Sequence, residues 1–293
     1  MLNKRTRGEK AFNVFNIVFL SVLSLIMLYP ILYVVFASVS DPVKLIQSNG
    51  ILWRPMGFTS LAYEMVFENR SILVGYGNTI YLVIVGTILN VFFTSLAAYV
   101  LSRNGFYWKR LFNFMVVFTM LFSGGLIPFY LTIQRLGLLD STWSLILPGL
   151  LTAYNLMIMR TSFAAIPVSL EESAKIDGAT DLIVLVRIIL PLSKAIIAVM
   201  VLFYGVSHWN SWFNASIFIQ TREKFPLQLV LREILIANDT SSMGNDLGAN
   251  DQEMIAENIK YATIVVATLP IMCVYPFIQK YFVTGVMIGS VKG

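Results

Sequence analysis

Histidine and cysteine each occur once in the 293 residues, as His208 and Cys273. A single cysteine excludes an intrachain disulfide, and its place inside an apolar run marks it as a small packing residue. A single histidine excludes a His-rich metal centre assembled within this chain. Charge is scarce too. Asp, Glu, Lys and Arg make up 13% of the sequence, against about a quarter in an ordinary soluble domain. The sequence contains no GxxxxGK[ST] phosphate loop and no catalytic constellation of nucleophile, acid and base. The chain is therefore expected to be no enzyme, to hold no metal and no cofactor, and to draw energy from outside itself.

What it has in abundance is hydrocarbon. The hydrophobic share is 57% and the mean hydropathy +0.74. Spanning the bilayer core takes about 20 apolar residues in a helix. Six segments meet that length: Phe12–Ser38, Tyr76–Leu101, Leu111–Leu131, Trp143–Phe163, Ala195–Ile219 and Tyr261–Val283. The expectation is an all-α, polytopic membrane protein with six transmembrane helices. Breakers fall inside several of them, at Pro30, Gly124-Gly125, Pro128, Pro148 and Pro270. Such residues are tolerated where neighbouring helices satisfy the freed backbone groups. Lys4, Arg5, Arg7 and Lys10 precede the first run in the manner of a secretory signal, but the run is longer than the roughly 7–15 residues of a signal core. It reads as an uncleaved first span.

Charge then orients the spans. Thirteen of the 21 lysines and arginines lie in residues 1–11, 102–110, 160–194 and the tail from Lys280, with only five of the 16 carboxylates. The positive-inside rule places these segments, and both termini, in the cytoplasm. The basic pI of about 9.2 is thus a topology signal, and nucleic acid is not expected as a partner. The domain reading follows: 1–11 a cytoplasmic segment, 12–283 the membrane domain with outer loops 41–75 and 220–260, and 284–293 a cytoplasmic tail. Within the second loop, Leu227–Ile236 can form a short surface helix ahead of the turn-rich Asn238–Ser242 and Gly244–Asp246.

One polar stretch interrupts the hydrocarbon. Pro167–Pro191 reads as two short helices joined by a turn, a hook of 167–191. Ser169 can cap the first helix with Glu172 three residues on, a capping box. Gly178 can close that helix in a left-handed conformation. Thr180 can start the second, and Pro191 can end it. Glu172 lies near the positive end of its helix, so a purely structural role for it stays open.

These residues carry a resemblance. Glu172-Ser173-Ala174, three residues, Gly178, nine residues, then Ile188-x-Leu190-Pro191 resembles the EAA motif of ABC-importer permeases, with Ser173 in place of the usual first alanine. The longer string Glu171 to Ala179 looks most like the carbohydrate branch, on the side of the maltose-permease G type, the binding-protein-dependent transport inner-membrane components. Permeases for plant or algal oligosaccharides and uronides, alginate importers among them, are similar too. The likeness extends from the first span to the tail, where Gly285–Gly293 also looks like that type.

The resemblance implies the type I ABC-importer permease fold and a bacterial cytoplasmic (inner) membrane location. It implies a second, homologous permease, two ATP-hydrolysing subunits that hold ATP and Mg, and an extracytoplasmic sugar-binding protein, with membrane lipid around the whole. It implies that Glu171, Glu172, Ser173, Ala174, Asp177, Gly178 and Ala179 form the coupling contact with an ATPase. The long outer loops have two readings, solvated loops or contact with the sugar-binding protein.

For the cargo, the fifth span is the most informative. Ser207, Asn210, Ser211 and Asn214 recur at helical spacing and would share one face. Buried polar groups in a membrane face the bundle interior or a watery cavity, and amides, hydroxyls and the ring of Trp209 suit sugar. Helix–helix hydrogen bonding uses the same residue types, and Trp209 and Trp212 also suit the membrane interface. Tyr154 and Asn155, with Asn78 and Asn90, are weaker candidates of the same kind. His208 lies off the stripe and reads as a satisfied structural histidine. Two other classes compete with the ATP-driven sugar importer. One is an ion-coupled secondary carrier, disfavoured by the lack of intramembrane carboxylates. The other is a membrane scaffold or sensor subunit that moves no solute.

Overall fold

The computed structural model describes residues 7–47, 51–103, 105, 107–237, 258–274 and 276. Every regular element among them is helical. They divide into two compact units. One comprises Met1–Asn69 with Ile234–Thr268, the other Arg70–Glu233 with Leu269–Gly293.

The first unit is led by α1 (Arg7–Ser38), whose apolar side chains are largely exposed, as lipid-facing groups would be. Pro30 sits inside it. Residues 41–75, expected as an outer loop, are not a loop throughout. They contain α2 (Pro42–Gln47), α3 (Leu61–Glu68) and, from Arg70, the next long helix. Ser40 organises the turn after α1: its hydroxyl donates to Phe36 O at 2.6 Å and accepts from Met56 N at 3.0 Å. Asp41 Oδ1 accepts from the N–H groups of Val43 and Lys44, so an aspartate caps α2. Ala37, Leu45 and Leu52 form a small buried core there.

The second unit begins with α4 (Arg70–Ser102), 33 residues long. It starts six residues before the segment expected from hydropathy, at Arg70 and Ser71. A π-helical turn, Leu82–Gly86, widens it midway. Then come α5 (Lys109–Leu121) and α6 (Leu126–Arg135). The sequence predicted one span over Leu111–Leu131 with breakers inside it, and these two helices meet at 115°. Gly125 explains the bend: its φ of 87° lies where side chains are strained.

The span expected at Trp143–Phe163 is likewise broken. A short α7 (Trp143–Ile146) passes through a 3₁₀ turn at Leu147–Gly149, and helix resumes as α8 (Ala153–Ala164). Pro148 accounts for the break, since it has no N–H for the helical ladder. After the hook, α11 (Lys194–Trp209) and α12 (Phe213–Phe218) replace the single segment Ala195–Ile219. Helix α13 (Leu227–Ala237) occupies the place read as a short surface helix, but its Leu227, Leu229, Val230, Leu231 and Ile234 are buried, so it packs into the protein instead. The last described helix is α14 (Asn258–Val274).

Two helices, α1 and α4, are long and apolar enough to cross a membrane, and each bent pair counted as one span raises the number to four. Six are not counted among the described residues: Pro148 cuts the fourth segment, and of the sixth only the part to Val274, with 276, is described. The tail 284–293 and most of the loop beyond Ala237 lie outside the described residues.

Two buried clusters hold the second unit. Tyr99, Leu156, Met159, Phe163, Val184, Ile189 and Met200 pack α4, α8 and α11 against the hook. Leu82, Ile133, Ile146, Phe218 and Leu229 form the other.

Candidate functional site

The hook is built as two helices, α9 (Val168–Ile176) and α10 (Asp181–Leu192). Its turn is fixed by backbone geometry. Gly178 has φ 82°. Gly178 N donates to Lys175 O at 3.0 Å and Ala179 N to Ala174 O at 2.9 Å. This is the Schellman pairing, which satisfies carbonyls that a helix end leaves open. The accompanying apolar contact is present too, since Ala174 and Ala179 both pack on the buried cluster of Tyr99 and Phe163. Thr180 then caps α10 by accepting from Ile183 N.

The cap of α9 differs from expectation. Its N-cap is Pro167, with no side-chain bond, and helix already runs through Ser169. Ser169 is therefore inside the helix, where its carbonyl accepts from Ser173 Oγ at 2.9 Å. The extended backbone of Pro167, ψ 131°, starts the helix two residues too early for a Ser169 capping box. At the far end, Pro191 falls within α10. The chain turns by 87° at Ser193, before α11.

The two glutamates part company. Glu171 is 6% exposed, while Glu172, Ser173, Asp177 and Gly178 face outward. Glu171 Oε2 lies 3.1 Å from Arg103 Nε, an ion pair without in-line hydrogen geometry. Its Oε1 lies 2.9 Å from Lys175 Nζ and accepts from Tyr99 OH at 3.3 Å. Lys175 also reaches Asp181 Oδ1 at 3.0 Å. Bonding to Glu171 first, and to Asp181, raises the Lys175 pKa well above its usual value. The outer face of the hook carries apolar groups as well, with Ile176 87% and Leu182 62% exposed. The seven expected coupling residues thus lie together in one hairpin: Glu172, Ser173, Asp177 and Gly178 on its open face, Ala174 and Ala179 packed on the buried cluster, and Glu171 turned into the protein.

The expected cargo stripe does not form one helical face. Helix α11 ends at Trp209, and Asn210–Trp212 separate it from α12. Ser207 lies on α11, Asn210 and Ser211 in the break, and Asn214 on α12. The polar side chains that supported a periodic reading are themselves poor helix formers and occupy the turn. Ser207, Asn210 and Asn214 are exposed, Trp209 is buried against Tyr76 at 6.2 Å between ring centres, and Tyr154 is exposed beside the buried Asn155.

His208 and the two amides named with it are consumed internally. Asn90 Nδ2 donates to Gly149 O at 2.5 Å, which turns Asn90 Oδ1 to His208 Nε2 at 2.7 Å. With its oxygen facing the ring, Asn90 requires Nε2–H as the donor. Asn78 Nδ2 donates to the carbonyls of Glu223 and Phe225. One turn from Asn90, Thr94 Oγ1 meets Tyr204 OH at 2.8 Å, and Thr152 Oγ1 donates to the same hydroxyl at 3.2 Å. Helices α4 and α11 are therefore pinned to the α7–α8 break by two stacked polar knots.

Sequence reasoning missed the knot of Thr94, Thr152 and Tyr204, and the partners of Glu171. Lys175 was legible as an i,i+4 partner, whereas Arg103 was not. It also missed Asp140. This residue has φ 54°, which aspartate tolerates better than most. Its carboxylate accepts from Gln220 N, Thr221 N and Thr221 Oγ1, and pairs with Lys224 Nζ at 2.8 Å. Lys224 foremost, then Thr221, holds the Asp140 carboxyl far below the usual carboxylate range.

An apolar groove of about 920 Å³ is lined by α4, α10, α11 and Pro270, Ile271 and Val274. Thr87 and Ser95 are the hydroxyls in its lining, so it offers hydrocarbon rather than the hydrogen-bonding groups a sugar needs.

A long apolar helix pinned to a broken neighbour, beside a capped hairpin with an exposed outer face, is an arrangement that suits a membrane permease. The family model for binding-protein-dependent transport system inner membrane components matches residues 90–288, and the chain belongs to that family. Protein LplC of Bacillus subtilis is 43% identical over 98% of this chain and 97% of its own. The polygalacturonan/rhamnogalacturonan transport system permease protein YtcP, also of Bacillus subtilis, is 42% identical over 94% of this chain and 96% of its own. Among solved structures, a chain of a bacterial ABC transporter involved in import of the acidic polysaccharide alginate superposes with TM-score 0.86. It is 32% identical, over 95% of this chain and 99% of that one. The chain is thus a permease of a sugar importer of the ABC type, an inner-membrane component working within a transporter complex.

Proposed function

We propose that this permease crosses the membrane six times with both termini in the cytoplasm, and that its hook docks on an ATP-hydrolysing subunit. The observation that carries the reading is the hook itself. Its turn is rigidly capped around Gly178, its inner face is packed, and its outer face leaves Ile176, Leu182, Glu172 and Asp177 uncovered. An apolar, capped face of this kind on a cytosolic loop suits insertion into a protein cleft. The bias of Lys and Arg toward the hook side supports the orientation.

In this reading a second, homologous permease completes the pathway. Two ATPase subunits hold ATP and Mg, and an extracytoplasmic sugar-binding protein delivers cargo. ATP-driven closure of the ATPases draws the hooks together and opens the path outward. Hydrolysis resets it. By linkage, the docked binding protein must favour the state that ATP favours. The outward residues Ser207, Asn210, Ser211, Asn214 and Tyr154 are the candidates for sugar contact.

An acidic oligosaccharide is the favoured cargo. Two relatives are named for acidic glycans, and this chain offers a matching group. Arg232 is exposed, with its guanidinium 4.3 Å over the Trp212 ring, in the break that also holds Asn210 and Ser211. The neighbouring Glu233 is engaged by Arg222 at 3.3 Å. A planar guanidinium held by stacking is preorganised for a carboxylate. By α-helical rise, the 16 residues of α11 put this break about 24 Å from the hook end.

The test is uptake by the complete complex in vesicles, comparing labelled oligogalacturonate with a neutral oligosaccharide. ATP-dependent uptake of the acidic sugar, reduced in Arg232→Gln, is expected. Uptake that stops with an uncoupler and ignores ATP would instead establish a secondary carrier, and absence of any uptake would leave the scaffold reading.

A further inference from the structure

The hook makes two kinds of contact, and they use different glutamates. Glu172 faces out. Glu171 is buried and faces cations at the end of α4 and on α9. At that end Arg160 Nε donates to Leu101 O at 3.2 Å and Lys109 Nζ to Ser102 O at 3.3 Å. Arg103 Nη2 donates to Phe163 O at 3.5 Å, and its guanidinium stacks on Tyr99 at 5.3 Å. Arg160 and Lys109 satisfy carbonyls that the C-terminus of α4 leaves open, and all three cations suit its negative dipole end. Together they also concentrate positive charge. Glu171 is the buried carboxylate set against it, and its second oxygen reaches Lys175, which continues to Asp181 on α10.

We infer that Glu171 is a positioning residue: it ties the hook to the ends of α4 and α8, so that movement of the docked hook is transmitted to the membrane helices. This rests on the docking reading above and assigns Glu171 a role separate from it. Three features of the geometry support a mechanical link. The carboxylate joins four elements through one group: α4 by Tyr99 and by Arg103 just past its end, α8 by the Arg103–Phe163 contact, α9 by its own backbone, and α10 through Lys175. The Arg103–Glu171 part of the link is largely dry, with side chains 12% and 8% exposed, so screening by salt is weak there, whereas the Lys175–Asp181 part is open to water. The link is also short-ranged and geometric, so it resists displacement of α9 along α4 where apolar packing alone would allow sliding. A fourth point is the spacing of the two glutamates. Adjacent helical positions face about 100° apart, so one residue can meet the partner protein while its neighbour holds the permease.

The experiment uses the complete transporter in vesicles and reads three quantities: ATPase copurification, ATP hydrolysis, and sugar moved per ATP hydrolysed. Glu171→Gln keeps the shape and removes the charge. It is expected to retain the ATPase but to move about tenfold less sugar per ATP, within the range of ordinary coupling free energies. Arg103→Lys keeps the charge but loses the planar fork, and it is expected to lower the ratio by a smaller factor. The exchange Glu171→Arg with Arg103→Glu is expected to recover part of the loss. An unchanged sugar-to-ATP ratio in both single variants overturns the proposal. So does loss of ATPase copurification in Glu171→Gln, because Glu171 would then be a docking residue. Should Glu171→Gln fail to accumulate in the membrane, Arg103→Lys decides by the same ratio. Glu172→Arg separates the two readings. It is expected to lose the ATPase itself, and its full retention would refute docking by this face while leaving the internal link to be judged by the ratio.

Discussion

A methyl group added at Gly86 tests the pinning of α4 to α11. A Cβ built there falls 2.7 Å from His208 Cε1 and 2.9 Å from Cδ2, and closer still to Nε2. The ring cannot retreat without breaking its bond to Asn90, and Asn90 is itself held by Gly149 O. Overpacking of this kind costs about 1–3 kcal/mol, and a buried polar partner left unpaired costs about 1–3 kcal/mol more. Gly86→Ala should therefore lose about 2–6 kcal/mol. Denaturant titration of the purified complex in detergent, followed by tryptophan fluorescence, measures it, because Trp209 follows His208 directly. The mechanism is checked by a double-mutant cycle. His208→Ala removes the clashing ring, so Gly86→Ala should cost much less in that background. Equal cost in the two backgrounds would show that the ring is not what Gly86 accommodates, and the reasoning would fail.

Other outcomes follow from the same contacts. Gly178→Ala should strain the hook turn by about 1 kcal/mol and slow uptake, while Gly178→Pro should abolish uptake with membrane insertion intact, as read by vesicle transport and immunoblot. Tyr204→Phe removes the hydroxyl shared by Thr94 and Thr152 and should cost about 0.6–2 kcal/mol, the scale of polar pairs between membrane helices, in the same denaturant assay. Asp140 has a lowered folded-state pKa, so its contribution is fully present above the unfolded value of about 3.9 and is lost progressively as pH falls from there through the lower folded value. Hydrogen exchange of the Gln220 and Thr221 amides should quicken, after correction for intrinsic rates, on acidification through pH 4 in the wild type. In Asp140→Asn it should already be fast at neutral pH.

How much of this was legible depended on the range of the interaction. The hook turn was readable because it is local: Gly178 and Thr180 act on residues within five positions, and their backbone chemistry is the same in any fold. The Ser169 capping box failed on an equally local matter, since Pro167 starts the helix early and only backbone angles reveal it. Hydropathy found where helix would be rich but could not find where it breaks. Pro148 and Gly125 were visible as breakers, yet a breaker can be absorbed as a kink or can split a span, and packing decides which. The polar stripe of span five went wrong for a related reason. Asn210 and Ser211 fit a helical face by number, and they also suit a turn. Periodicity alone cannot choose between those uses.

The residues least visible in sequence are those that join distant segments, and they concentrate where movement must be carried. Arg103 is 68 positions from Glu171, and Asn90 is 118 from His208. Neither pair has a spacing that predicts contact. Their placement nonetheless makes mechanical sense. The two polar knots, Asn90–His208 and Thr94–Tyr204–Thr152, fasten α4, α11 and the α7–α8 break in the interior. The Glu171 link fastens the hook to the end of the same α4. A force applied to the hook therefore meets a helix already bound to its neighbours at two levels, so the helices must move together or not at all. Loosening either knot should then lower sugar moved per ATP as well as stability. A Tyr204→Phe complex with reduced stability and an unaltered transport ratio would show that the interior knots serve the fold alone.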